Sequence, residues 1–325
     1  MLRSEHMEIC SLPALRLEND LISLSILPDP GAKIYDLVWK PSRRQILWQN
    51  PRILPQRFPI DSNFDNYWCG GWDEGFPTCD ACEHNGESYP NLGELRSIRW
   101  NVDNLQCVGE DAIAELSAFG PITPVRALKR IAVCRGTVSI HCELLNLGPL
   151  GFDFIWGSHP ALKVTPSTIL HIPAETGVVQ LSSSASFGSP GQQYAWPVIQ
   201  TPVGHTDMSR IPPAQTGTFC GHYATGLRGS SYGLEFGGED LGLILEFPRE
   251  QCPSLWMWLV YGGWRGYYHA IIEPWTSCPV NLAEAVRQNT HKRLEPGQTF
   301  CVDVKLRLQA GLADWRNEMR RVESA

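Results

Sequence analysis

The chain has 325 residues, 43% of them apolar and 19% charged, with 27 Lys and Arg against 34 Asp and Glu for a net charge of −7. A chain of this length buries roughly three quarters of its unfolded surface, so it folds without disulfide or metal staples. The acidic balance, with no long basic block, speaks against nucleic acid as a partner, and no apolar run approaches the roughly 18 residues of a membrane span.

At the start of the chain, Met1 to His6 lack the apolar core that a signal peptide needs. The eleven cysteines are odd in number and scattered, which suits reduced thiols better than a disulfide framework. Cys142 and Cys301 sit in alternating segments and read as small buried hydrophobes. A soluble, cytoplasmic protein is therefore expected. Twelve Trp beside 29 Gly and 25 Pro suit a turn-rich β protein with a cleft lined by flat rings.

The first clear element is Leu21–Leu27, where Ile22, Leu24 and Ile26 share one face and Ser23 and Ser25 the other, the pattern of a strand between core and water. A turn signal follows at Pro28-Asp29-Pro30-Gly31. Tyr67 to Pro77 then reads YWCGGWDEGFP and continues to YPNLGELR at Tyr89–Arg96. Glycines beside Trp72, Asp73, Glu74, Glu94 and Arg96 suit a polyol ligand, because rings stack on C–H faces and carboxylates accept hydroxyl protons. A turn-rich aromatic mini-core is the other reading of this stretch. Within it, Cys79-Asp80-Ala81-Cys82-Glu83-His84 has a C-x-x-C and a histidine but no second pair to complete a tetrahedral site, so no metal is expected.

Val138, Ile140, Cys142 and Leu144 alternate with Thr137, Ser139, His141 and Glu143 as a half-buried strand. Phe154 to Pro160, FIWGSHP, places Trp156 and His159 at an apolar strand end. An imidazole with a reference pKa of about 6.5 serves there as a proton donor or acceptor, or as a satisfied structural group. Ser182 to Gly217 is rich in Ser, Gly, Pro and Gln and reads as a long loop. Leu241–Phe247 is continuously apolar, as in a strand covered on both faces. Gly263 to Pro274 reads GWRGYYHAIIEP. As one strand it lines up Arg265, Tyr267, His269, Ile271 and Glu273 on a single face, either a cleft wall or a solvated exterior. Val302, Val304, Leu306 and Leu308 form a last alternating strand, and Leu312, Trp315, Met319 and Val322 fall at helical spacing. No G-x-S-x-G elbow and no phosphate-cradling glycine loop is present. The architecture expected is all-β and antiparallel, two large sheets face to face in a single domain over 1–325, closed by a short C-terminal helix.

The segments Gly70–Pro77, Asn85–Leu95, Trp156–Pro160 and Ile272–Thr276, in this order, resemble the aldose 1-epimerase (galactose mutarotase-like) family. Pro30–Ile34 and Leu294–Gln298 fit that family's first and last strands, so the likeness spans nearly the whole chain. It implies a large β-supersandwich, a sugar-binding cleft, and interconversion of sugar anomers with no cofactor. By motif, Glu273 is the base that takes the anomeric hydroxyl proton and His159 the acid that protonates the ring oxygen. Trp72, Asp73, Glu74, Glu94, Arg96, Trp156, Arg265 and His269 are the candidate substrate contacts. The partner implied is a monosaccharide or sugar derivative, with a homodimer left open. Family members commonly carry a second histidine just before the glycine that is Gly93 here; this chain has Leu92. That departure keeps a non-catalytic sugar-binding or sensor protein as the alternative. A phosphorylated sugar would need a cationic pocket, for which Arg96, Arg99, Arg126, Arg130 and Arg265 are the available side chains.

Overall fold

The computed structural model describes the backbone of residues 2–324 and the side chains up to 321. The chain divides into two compact units, one of Met1–Pro160 with Trp275–Lys305, the other of Ala161–Pro274 with Leu306–Ala325.

The first unit is built from two antiparallel rows of strands. One row runs in chain order through Arg3–Ile9, Leu12–Glu18, Ile22–Leu27, Lys33–Trp39, Trp72–Gly75 and Gly157–Leu162. The other is a meander of Asn101–Val108, Asp111–Phe119, Val125–Cys134 and Thr137–Asn146. Leu12–Glu18 packs against Asp111–Phe119 and Val125–Cys134, so the two rows bury one apolar layer between them. The expected alternation holds over Thr137–Asn146, whose residues switch between buried and half-buried along their whole length. It fails in Ile22–Leu27, where all six residues are buried, Ser23 and Ser25 included. Serine is small enough to sit under a covered face when its hydroxyl finds a partner, and the Ser25 hydroxyl accepts from Arg16. Cys142 is buried as expected, whereas Cys301 is exposed. Cys301 shares its parity with Asp303 and Lys305, the outward set of the strand Thr299–Ala310.

In the second unit, the strands Tyr268–Trp275, Ser254–Tyr261, Thr218–Thr225, Thr176–Ser182 and Gln193–Ala195 form one antiparallel row. Thr168–His171, Ser231–Phe236 and Leu241–Glu246 form another. Leu241–Glu246 is buried on both faces, as its apolar run implies. The C-terminal helix Leu312–Ser324 lays Trp315 and Met319 on this second row against Ile244. Gly233 and Gly242 make the room, since a Cβ at Gly242 would overlap the Trp315 ring. The side chain of Val322 lies outside the described residues. The segment 182–217 differs from the expected loop. It folds into a short hairpin, Val198–Thr201 with Gly204–Asp207, and pins itself down with buried Phe187, Ile199, Met208 and Ile211. These anchors fall at irregular intervals with no period, so pattern reading passes over them.

Candidate functional site

In the first unit, the strand end at His159 is fixed by pairing with Trp72–Gly75, in the register Gly157 to Gly75, Ser158 to Glu74, His159 to Asp73 and Pro160 to Trp72. Strand alternation then sorts the neighbours. Asp73 shares the face of His159, and Glu74 turns to the opposite face. There Glu74 pairs with the Lys129 ammonium, which also donates to the Ala32 carbonyl at 3.1 Å and lies 5.1 Å from the Trp100 ring centre. Trp72 goes with Glu74, and its indole N–H donates to the Ser158 hydroxyl at 2.7 Å.

On the His159 face the surroundings are buried and charged. His159 and Asp73 are both buried. Lys33 reaches Asp73 at 3.1 Å and donates to the Gly70 carbonyl at 2.9 Å. Against the cost of burial, Asp73 holds the Lys33 ammonium above its ordinary pKa, so it stays protonated. Two rings meet the imidazole edge-on, Phe64 at 5.9 Å and Trp68 at 5.8 Å between centres. Arg96 lies over Phe58 and Phe64 at 4.9 and 5.0 Å, tethered to the Asn91 carbonyl at 2.7 Å. Burial pulls the guanidinium down to about 10, which still leaves it charged at neutrality. Desolvation, helped by the charges of Lys33 and Arg96 and opposed by Asp73, pulls His159 down to about 4. Its imidazole is neutral at pH 7.

The glycines of this face have a packing reason. Trp275 is fully buried, and a Cβ at either Gly75 or Gly157 would overlap its indole. Leu92, held at φ 60° and buried, approaches the same spot, with its Cδ1 3.2 Å from where a Gly75 Cβ would be. Gly157→Ala is expected to destabilise the protein by about 2–3 kcal/mol, because the indole and the strand pair have nowhere to go. Urea unfolding of the variant measures this; a change under about 0.5 kcal/mol would mean that the indole yields freely.

Trp156 and Glu94 are placed elsewhere. Trp156 is tied by its backbone to Thr276, donating to the Thr276 hydroxyl at 2.8 Å. Glu94 accepts from the Ile122 N–H at 2.6 Å and from the Thr123 hydroxyl at 2.5 Å, so its carboxylate is spent on the turn at 122–123. Lys33, Phe64 and Trp68 are the neighbours of His159 that sequence reading missed. The signal present was Phe64 and Trp68 at i, i+4, which stack at 5.4 Å.

In the second unit, the strand expected from Gly263 starts only at Tyr268. Residues 262–266 form a turn, with Gly262, Arg265 and Gly266 at positive φ, and Arg265 is exposed there rather than on the strand face. The glycine pair that looked like a cleft wall marks the turn. His269 and Glu273 do share one face, four residues apart, and both are fully buried together with Ile271. Behind the strand, the Tyr232 hydroxyl donates to the Ile272 carbonyl at 2.8 Å. Burial and then the Glu273 charge push that phenol far above its ordinary pKa, so it remains a donor.

No family model and no curated protein matches the chain. Solved structures do match, and they define the class: the protein has the galactose mutarotase-like fold. A galactose mutarotase-like protein from Clostridium acetobutylicum superposes with a TM-score of 0.69 at 16% identity, over 95% of this chain and 99% of that one. A galactose mutarotase related enzyme from Lactobacillus acidophilus gives 0.63 at 15%, over 91% and 97%. The Slr1438 protein from Synechocystis gives 0.69 at 18%, over 95% and 96%. Identities this low carry the fold and not the activity. Among the described residues, no helix is long and apolar enough to cross a membrane.

Proposed function

We propose that the protein is a cofactor-independent sugar epimerase of the aldose 1-epimerase kind, acting on a monosaccharide or sugar derivative. The observation that carries this reading is His159, a buried neutral imidazole on a strand end opposite Asp73, in a galactose mutarotase-like fold. In the reaction, the Glu273 carboxylate takes the proton of the anomeric hydroxyl while His159 gives one to the ring oxygen. The ring opens to the aldehyde, which turns about its bond to the next carbon. Reclosure on the other face returns both protons. With His159 at about 4, its protonated form is a strong but sparse acid, on the order of one molecule in a thousand at pH 7. Asp73, Arg96 and His269 are the proposed contacts for sugar hydroxyls, with Trp68 and Phe64 as apolar walls.

The test is anomer exchange on a panel of free sugars, followed by magnetisation transfer. Acceleration by the wild-type protein supports the reading. Binding without acceleration favours the second reading, a non-catalytic sugar binder or sensor, which Leu92 supports; no binding of any sugar or sugar derivative overturns both. Leu92→His is expected to raise the exchange rate by about tenfold or more, as a restored polar group near the reacting centre does. A positive φ is tolerated better by His than by a bulkier residue, so the variant should fold. An unchanged rate in a folded variant would remove Leu92 from the account.

A further inference from the structure

On the outer face of the first unit, His141 and Glu143 stand two residues apart on the strand Thr137–Asn146, and Cys301 stands on the strand Thr299–Ala310. One donor atom from each, a ring nitrogen, a carboxylate oxygen and a thiol sulfur, lies within 4.8 Å of the others. The imidazole is already oriented: its Nδ1 meets Asp303 at 2.9 Å and its Nε2 meets Glu143 at 3.1 Å. We propose that His141 Nε2, Glu143 and Cys301 form a surface site for a divalent transition metal of the zinc class, with Asp303 holding the imidazole from behind.

Three features support this assignment. First, the donor set mixes nitrogen, oxygen and sulfur, which suits zinc and disfavours magnesium or calcium. Second, the geometry needs little adjustment. Bonds of roughly 2.0–2.3 Å to one tetrahedral ion put its ligand atoms about 3.5 Å apart. The nitrogen–oxygen pair is already that close, and only the thiol has to approach. Third, a carboxylate on the far ring nitrogen is the arrangement that fixes the tautomer of a metal-bound histidine and raises its basicity. Arg130, opposite His141 on the neighbouring strand, is turned toward Glu115 at 3.5 Å.

Without metal, the group is held together by protons. Partial burial disfavours a charged His141, but its hydrogen bonds to Asp303 and Glu143 outweigh that and raise its pKa. Burial and the same two carboxylates raise the Cys301 thiol. A metal ion held by these ligands takes a neutral ring nitrogen and a thiolate, and its charge offsets the two carboxylates beside Cys301.

The test is titration of the full-length, metal-free protein with Co²⁺ and Zn²⁺. Co²⁺ is expected to bind at one site with a thiolate-to-metal charge-transfer band in the near ultraviolet, and Zn²⁺ to displace it. Cys301→Ser should abolish the band. His141→Gln and Glu143→Gln should weaken binding by about tenfold or more, and Asp303→Asn by about tenfold through the imidazole it positions. All four residues are exposed or half-buried, so unchanged melting temperatures should confirm that the variants fold. A band that persists in Cys301→Ser, or a wild-type protein that takes up neither ion, overturns the proposal. Sugar chemistry enters none of these readouts.

Discussion

Glu273→Gln is expected to slow anomer exchange by about 10²–10⁴-fold, the range for removing a positioned acid–base group, and to leave sugar affinity nearly unchanged. That loss corresponds to about 3–5 kcal/mol of transition-state stabilisation. Gln keeps the shape and the hydrogen-bonding oxygen of the side chain but cannot take a proton. Glu273 is fully buried, and replacing a buried ionisable group by a neutral amide removes a desolvation cost, so the variant should fold. His159→Gln should fall by a similar factor. The double variant should be little slower than either single one, because each substitution disables one half of a coupled proton transfer. Magnetisation-transfer rates with a saturating sugar measure all three. A Glu273→Gln protein that still exchanges anomers at the wild-type rate would remove the carboxylate from the mechanism.

Acid should destabilise the protein through two buried histidines. Burial, with Lys33 and Arg96 assisting at His159, pulls both His159 and His222 down to about 4. His222 is fully buried, and its Nδ1 meets the Tyr194 hydroxyl at 2.9 Å. The unfolded chain, with imidazoles near 6.5, binds protons that the folded chain refuses until about pH 4. Between those values the unfolded state holds more protons, so stability falls as pH falls. The contribution is complete above pH 6.5 and is lost on the way down to 4. Each histidine accounts for about 3 kcal/mol over the whole window and about 2 kcal/mol between pH 7 and pH 5. Urea unfolding at those two pH values should therefore show a smaller loss in His222→Gln than in the wild type, by about 2 kcal/mol. An identical pH dependence in the two proteins would mean that His222 is charged in the folded state.

Much of the fold could be read where one face of a strand meets water. Thr137–Asn146 and Thr299–Ala310 alternate because their outer residues are polar and large, and the C-terminal helix declares itself through Trp315 and Met319. Ile22–Leu27 misled for the same reason in reverse: a serine facing a covered layer has the same letter as one facing solvent. Glycine was ambiguous too. Gly75 and Gly157 are packing glycines under an indole, whereas Gly262 and Gly266 are turn glycines, and only the second pair cut the expected strand short. The face of His159 was half visible. Asp73 and Arg96 stood out by type, but the sequence does not say which of two adjacent carboxylates shares a face until the register with Gly157–Leu162 is known. Lys33 carried no signal, since a lysine opening a strand is ordinarily a solvated one.

The way the chain threads its two units bears on its synthesis. The short strand Phe152–Phe154 pairs with Lys292–Leu294, and the Asn146 side chain donates to the Leu294 carbonyl at 2.9 Å. Those partners leave the ribosome about 140 residues after the segment that waits for them, roughly ten to thirty seconds at common elongation rates. Until then Phe152–Phe154 lacks the strand that completes its two-stranded sheet, and an unpaired strand can pair with other chains. The first unit is therefore completed only after the strands of the second have been synthesised.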